Sequence, residues 1–335
     1  NIEINELTDG KQLIDQISQQ KKYLLNNLHL KINVMGLSNS RKMILKEQPI
    51  KLSEWEKLLN NGESANRGNF FEHIKSQNLR NTIFIDNTAS EEISKEYGKY
   101  LKNSIAVVTC NKIACADELK NYRILKNISR KFNSPFLFET NVGAGLPIID
   151  TLNNLIASGD RIIKIQAILS GSLNYIFNNF NEKKSFLDVV KMAEKLGYTE
   201  PDPSIDLSGI DVARKILILA RESGYNLELN DIKNDSFLPK NSNKAKSKKE
   251  FYKILNDHSN HFNKILNIAS EQNCKLKYVA ELQNGKASVG LKNISKDHDF
   301  YNLEGSDNII LFYTNRYFDQ PLIVKGAGAG GDVTA

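Results

Sequence analysis

A chain of 335 residues is longer than one hydrophobic core usually serves, and its 40% hydrophobic content makes it globular, so two domains are expected. Its 45 Lys and Arg exceed its 39 Asp and Glu by 6, and the basic residues are spread along the chain, which suits an anionic small ligand and argues against nucleic acid. Cys110, Cys115 and Cys274 make no even disulfide framework, no apolar run reaches the roughly 18 residues of a membrane span, and no signal-peptide pattern opens the chain, so no membrane is involved and a reducing, cytoplasmic setting is expected.

The first half alternates amphipathic stretches with short β-branched runs. In chain order these are a helix over Leu13–Leu25, a strand over Lys31–Leu37, a helix over Ser53–Leu59 with Ser53 able to cap it, and a strand over Thr82–Asp86. A helix over Ser90–Leu101, a strand over Ile105–Thr109, a helix over Ala114–Phe132 and a strand over Phe136–Glu139 follow. Each parallel pairing needs a crossover, so this alternation predicts a parallel sheet with helices on both faces, a doubly wound α/β, Rossmann-like nucleotide-binding domain.

After Leu146 the pattern changes to α+β. A strand over Ile162–Leu169 and helices over Phe186–Leu196 and Leu207–Ala220 precede a basic run, Pro239–Lys249, read as a solvated loop with phosphate contact as the alternative. A helix from Glu250 to Ala269 comes next. Lys275–Leu282 and Ala287–Asn293 form a hairpin, because Asn284-Gly285 suits a turn with positive φ. Strands over Asn308–Tyr313 and Leu322–Lys325 lead to a glycine-rich end. The expected division is 1–145 with 310–335 for the nucleotide-binding domain and 146–309 for a catalytic and dimerisation domain.

Chemistry concentrates between Ala193 and Lys215. The prolines of Glu200-Pro201-Asp202-Pro203 stiffen a loop, and Asp206, Asp211 and Lys215 lie in or at the start of the next helix. Asp211 and Lys215, four apart, share a face. Spacing alone is met equally by a surface ion pair worth about 0.2–0.5 kcal/mol. A divalent-metal cluster is disfavoured by the lysine and the lack of histidine.

Ala193, Gly197-Tyr198-Thr199, Asp202-Pro203, Asp206-Leu207, Gly209, Asp211 and Lys215 fall together in the register of the homoserine dehydrogenase signature, and the run resembles that family. The resemblance implies that Glu200 and Asp211 hold the ammonium and hydroxyl end of an amino-acid substrate, with Asp206 and Gly197 in the same site and Lys215 as proton donor. Hydride addition to the aldehyde of aspartate semialdehyde builds negative charge on oxygen, which a lysine ammonium can stabilise and protonate.

Lys112, just past a strand end where open parallel sheets bind ligands, is by its residue type a solvated lysine. The resemblance places it beside the nicotinamide and the reacting carbon, and sequence leaves open which lysine dominates proton transfer. Glu139 to Pro147 reads as a glycine-bearing strand-to-helix turn. The resemblance adds a monovalent cation, sodium, on the Glu139 carboxylate and the carbonyls of Val142, Ala144 and Leu146. Ser170 to Tyr175 resembles the helix start lining the substrate pocket.

For the cofactor, Ser38-Asn39-Ser40-Arg41-Lys42 offers positive charge where NAD-binding folds usually carry an acid, favouring NADP(H) over NAD(H), with Asn39, Ser40 and Arg41 as contacts. A polar turn is the plain alternative. Thr88 and Ala89 follow a strand end and resemble a cofactor-contacting turn. Gly328 and Gly330 belong to a tail expected to lay backbone against the cofactor.

The pattern fails at the start. Where the family has a strand and a G-x-G-x-x-G turn for the pyrophosphate, this chain has Asn1 to Lys11, with only Gly10 matching the last glycine. A segment missing between Asp9 and Gly10 and another after Ala335 would explain this. The resemblance runs from Gly10 to Ala335 and is nearest to the dehydrogenase half of bifunctional aspartokinase–homoserine dehydrogenases, through Ser40-Arg41-Lys42-Met43 and Tyr301 to Gly305. It implies a homodimer and a linked aspartokinase domain as partners. The alternative is a catalytically impaired, dimerising domain that lacks the phosphate turn.

Overall fold

The computed structural model describes residues 3–327, 330, 334 and 335, with side chains described from Asp9 onward. The chain forms two compact units, Asn1–Ala114 with Arg123–Phe138 and Gly330–Ala335 as unit 1, and Cys115–Tyr122 with Glu139–Ala329 as unit 2.

Unit 1 opens with α1 (Glu3–Leu28) and continues through β1 (Gly36–Ser38), β2 (Lys42–Leu45), α2 (Trp55–Asn60), β3 (Glu63–Ser64), α3 (Arg67–Gln77) and β4 (Ile83–Asp86). Then come α4 (Glu91–Ser94), α5 (Tyr97–Lys102), β5 (Ala106–Thr109), α6 (Ile113–Ala116) and α7 (Leu119–Lys131), of which Cys115–Tyr122 group with unit 2, and β6 (Phe136–Leu137). Strands β4, β5 and β6 make the expected parallel sheet, in that order. Phe84, Val107 and Phe136 are in register on one face. There Tyr97, Tyr100 and Leu101 of α5 are buried, with Phe84 stacked on Tyr100 at 4.0 Å and Phe71 edge-on to it at 5.1 Å. Such aromatic pairs add about 0.5–1.5 kcal/mol each beyond the area they bury. On the opposite face Ile83 and Leu137, both 54% exposed, stay in contact with solvent.

The strand expected over Lys31–Leu37 is shorter and sits elsewhere. Only Gly36–Ser38 forms a ladder, antiparallel to β2, in a separate β1-β2-β3 sheet. A β-branched run becomes a strand only where a neighbour completes its ladder, and β2, which propensity did not reveal, is the neighbour it finds. Ile44, Ile50 and Leu59 form a small core here with Val34, Leu37 and Trp55. Asp9 and Gly10 are consecutive residues inside α1, and no described strand precedes that helix.

Unit 2 runs α8 (Ile148–Ala157), β7 (Ile162–Ile168), α9 (Gly171–Asn179), α10 (Phe186–Lys195), α11 (Pro203–Leu207), α12 (Ile210–Glu222) and β8 (Lys233–Asp235). It continues with α13 (Lys248–Asp257), α14 (Ser259–Glu271), β9 (Lys275–Gln283), β10 (Lys286–Ile294), β11 (Asn308–Thr314) and β12 (Leu322–Gly326). The six strands lie in the order β12-β11-β7-β9-β10-β8, antiparallel except for β8 against β10. The β9–β10 hairpin turns at Asn284 and Gly285, both at positive φ (50° and 75°), as the Asn-Gly pair predicts. Because β11 pairs with β7 and β12 with β11, residues 308–326 belong to unit 2, whereas the sequence division assigns 310 onward to the nucleotide-binding domain. The helix expected over Leu207–Ala220 is α12, preceded by the short α11, with Gly209 at φ of 72° between them, and the one over Glu250–Ala269 splits at His258.

Candidate active site

Of the residues expected to bind substrate, Asp206, Asp211 and Lys215 gather where β7 ends and α9, α11 and α12 begin. Pro203 at the first position of α11 fits a site whose missing N–H costs nothing, and Asp202 caps this helix by accepting the Ser204 N–H at 3.0 Å. Gly209 then reverses the chain into α12. A Cβ there would lie 1.9 Å from the Tyr278 hydroxyl, so the left-handed conformation and the close approach both demand glycine. This break puts Asp206 on α11 and Asp211 with Lys215 on α12.

Lys215 is mostly enclosed and donates to the Asp211 carboxylate at 2.8 Å and to the Leu169 carbonyl, just past β7, at 2.7 Å. The i,i+4 pair read from spacing is thus a partly buried ion pair anchored on the sheet. Asp206 accepts the Ser172 hydroxyl on Oδ1 at 2.8 Å and the Glu200 N–H on Oδ2 at 2.9 Å. Ser172 lies in the first turn of α9, which Ser170 caps. Burial raises the Asp206 carboxyl above its ordinary value, the two hydrogen bonds oppose this, and the Asp211 charge adds to it. Glu200 itself is exposed, and Gly197, at φ of 75°, ends α10. Sequence reasoning missed Lys248 and Tyr252. Both donate to Glu194 of α10, and Lys248 also donates to the Pro201 carbonyl at 3.1 Å, tying down the proline loop. The basic run that contains Lys248 resembled solvent-facing charge, and only tertiary packing distinguishes it.

Glu139 has a definite task. Its carboxylate accepts the N–H groups of Ile148 at 2.6 Å, Ile149 at 2.8 Å and Asp150 at 2.8 Å, capping the first turn of α8 from nine residues upstream. Burial pushes its carboxyl up while these amides pull it down. Val142 and Ala144 lie in the turn between, where Gly143 and Ala144 have φ of 76° and 53°, and the Leu146 carbonyl accepts the Ile148 N–H at 2.8 Å.

In unit 1, Asn39 shapes the β1–β2 turn, its Oδ1 accepting the N–H groups of Arg41 at 2.8 Å and Lys42 at 2.7 Å, so Ser40 and Arg41 sit at an exposed tip. Thr88 and Ala89 form the turn after β4, with Thr88 Oγ1 accepting the Ser90 N–H at 3.0 Å. Lys112 follows β5 at the same edge of the parallel sheet. Its ammonium opposes the burial that lifts the Asp9 carboxyl. Gly10 lies inside α1, a Cβ there meeting the Asn87 side chain at 3.7 Å. Gly330 groups with unit 1, and Gly328 lies outside the described residues. Among the described residues no helix is long and apolar enough to cross a membrane.

Comparisons with known proteins match both units. The homoserine dehydrogenase NAD-binding domain covers residues 10–139, and the homoserine dehydrogenase domain covers 147–335. The chain is 42% identical to the chloroplastic bifunctional aspartokinase/homoserine dehydrogenase 1 of Zea mays over 97% of its own length but only 36% of the relative's, so it spans about a third of that protein. It is 38% identical to the homoserine dehydrogenase of Schizosaccharomyces pombe, covering 97% of this chain and 89% of the other. Among solved structures, a Candida auris protein of unknown function shares 34% identity with a TM-score of 0.88, covering 98% of this chain and 92% of that one. A hyperthermophilic archaeal homoserine dehydrogenase in complex with NADPH shares 25% identity with a TM-score of 0.74, covering 98% and 91%. With a catalytic-domain match across more than half its length and a near full-length relative at 38% identity, the chain belongs to the homoserine dehydrogenase family.

Proposed function

We propose that this chain reduces L-aspartate 4-semialdehyde to L-homoserine, reversibly and with NADPH, in the route to threonine, methionine and isoleucine. The observation that carries the reading is the Lys215 ammonium, held by Asp211 and the Leu169 carbonyl beside the buried Asp206. An ammonium has three donors. Two are engaged in holding it, which leaves the third for the substrate oxygen.

As the aldehyde oxygen gains negative charge, Lys215 stabilises it and delivers the proton that completes the alcohol, then regains one from solvent. Asp211 orients Lys215 through their ion pair. Glu200, Asp206 and Asp211 receive the substrate's ammonium and hydroxyl end, and Gly197 lets α10 end next to them. When bound, the reduced nicotinamide supplies the hydride. Thr88, Ala89 and Lys112, at neighbouring strand ends, suit its nicotinamide half, and Asn39, Ser40 and Arg41 suit a 2′-phosphate. Gly330 and Gly328 are assigned to the same cofactor. Because α1 runs through Gly10, no contact to the pyrophosphate is assigned.

One carboxylate and three carbonyls are an all-oxygen set whose charge balances a monovalent ion. Glu139, Val142, Ala144 and Leu146 are therefore proposed to hold sodium, through the lone pairs left on the Glu139 carboxylate by the three α8 amides and on the Leu146 carbonyl by the Ile148 N–H. A homodimer formed through unit 2, a linked aspartokinase domain like that named in the Zea mays relative, and a cytoplasmic location complete the proposal. The test is NADPH oxidation followed by absorbance with aspartate semialdehyde present. Turnover dependent on the semialdehyde and faster with NADPH than NADH is expected, and none with either cofactor overturns the reading.

A further inference from the structure

Asp86 is the most enclosed described acid of unit 1, only 1% exposed, and the reaction outlined above gives it no part. It ends β4. Its Oδ1 accepts the Thr88 N–H at 2.9 Å, and its Oδ2 accepts the Asn111 amide at 3.1 Å and the Tyr97 hydroxyl. These donors are uncharged, so the carboxylate depends on their geometry for its solvation. The Thr109 hydroxyl extends the cluster, lying 2.9 Å from the Tyr97 hydroxyl and 3.0 Å from the Asp86 carbonyl while accepting the Asn111 N–H at 2.8 Å.

The position of this cluster gives it a purpose. The β4–β5 ladder closes with the Cys110 N–H on the Asp86 carbonyl at 3.2 Å. Beyond that bond the chain enters two turns, 87–90 and 110–113, and the described bonds that join them run through side chains. Asn111 does this twice, donating to the Asp86 carboxylate and to the Ser90 carbonyl at 3.0 Å, while its Oδ1 accepts the Ile113 N–H at 3.1 Å. One turn carries Thr88 and Ala89, and the other carries Lys112.

We propose that Asp86, together with Tyr97 and Asn111, is a positioning group that fixes the spacing between the Thr88–Ala89 turn and the Lys112 turn, and through it the seat of the nicotinamide half of the cofactor. The inference rests on the cofactor assignment above. Misplacement of such contacts by a fraction of an ångström is enough to slow a transfer reaction. An asparagine at 86 keeps one acceptor oxygen, so its NH2 would meet a donor either at the Thr88 N–H or at Tyr97 and Asn111. Because so buried an exchange can prevent folding, the milder Tyr97→Phe removes one donor and keeps the ring that packs near Phe136.

The experiment has two arms. Amide exchange by NMR, without cofactor, is expected to quicken at Thr88 and Asn111 together by roughly tenfold in Tyr97→Phe, with Ile85 and Val108 unchanged. Quickening at one turn alone, or at neither, overturns the coupling. Steady-state kinetics of the same variant are expected to show an NADPH KM raised about fivefold, the worth of one neutral hydrogen bond, with the semialdehyde KM unchanged. An unchanged NADPH KM, or an equal rise in both, overturns the positioning role. A wild-type protein that shows no turnover overturns the proposed reaction instead, and the exchange arm still judges the coupling.

Discussion

The two tasks proposed for this chain, holding a substrate in unit 2 and a cofactor in unit 1, would rest on scaffolds of different build. In unit 2 the residues proposed to bind substrate hang from a six-stranded sheet and from α12, whose residues Ile216 to Arg221 are all buried. In unit 1 the parallel sheet has three strands, is dry on the Phe84 face and wet on the Ile83 face, and the turn bearing Arg41 belongs to a separate small sheet. Where the β4–β5 ladder ends, buried side chains such as Asp86 and Asn111 join the two turns in its place. Stability and site geometry are separate properties here, and substitutions should separate them.

The largest expected effect is on chemistry. Lys215→Ala should lower kcat by about a hundredfold to ten-thousandfold, as removal of a general acid does, with NADPH binding by fluorescence titration nearly unchanged. Equal loss of both would place Lys215 in the cofactor scaffold and break the comparison. Next comes unit 2 stability. Arg221 has a fully enclosed side chain, donates to the carbonyls of Cys115 at 2.9 Å, Asp117 at 2.6 Å and Leu227 at 3.1 Å, and pairs with Glu228 at 3.0 Å. Arg221→Ala should cost about 3–5 kcal/mol in urea unfolding, and Arg221→Lys should recover little because an ammonium lacks the fork. A loss under 1 kcal/mol would show that this clamp is dispensable.

A third effect depends on pH. Lys277 is buried, donating to Asn174 at 3.1 Å, to Asn178 at 2.6 Å and to the Leu303 carbonyl, and burial among uncharged acceptors lowers its ammonium from 10.5 to about 8. Below pH 8 the folded and unfolded chains both carry the charge, and its desolvation opposes folding in full. Between pH 8 and 10.5 only the unfolded chain keeps the proton, so stability contributed by this group rises with pH. Wild type minus Lys277→Met should therefore gain about 1–3 kcal/mol across that window, and a flat difference in urea unfolding would contradict it. The smallest effect belongs to the exposed tip of unit 1. Arg41→Ala should raise the NADPH KM by roughly tenfold and leave that for NADH alone, as loss of a charged phosphate contact does. Parallel changes for both cofactors would remove Arg41 from the 2′-phosphate.

Sequence exposed what is local. The Asn284-Gly285 hairpin, the Asp211–Lys215 pair and the alternation that yields the β4-β5-β6 sheet all depend on neighbours within a few residues, and all three appear in the structure. What escaped depends on distance. The partner of Lys215 at Leu169 is 46 positions away and is a backbone carbonyl, which no side-chain pattern announces. Ser172 reaches Asp206 across 34 positions, and Lys248 reaches Pro201 across 47. Lys31–Leu37 misled for a related reason, since β-propensity names a candidate strand but not the edge that receives it. Glu139 shows a third kind of limit. Its residue type suggests a cation ligand, and only the fold reveals that the same carboxylate caps α8 through three amides.

The turn at Gly209 has a consequence for how this site can evolve. Asp206 and Asp211 stand on different helices only because a residue without a side chain lets the chain reverse against the Tyr278 hydroxyl. Any change in the spacing of the two carboxylates must work around that fixed point, which Tyr278 on β9 and its Asn234 partner at 3.2 Å define from the sheet side.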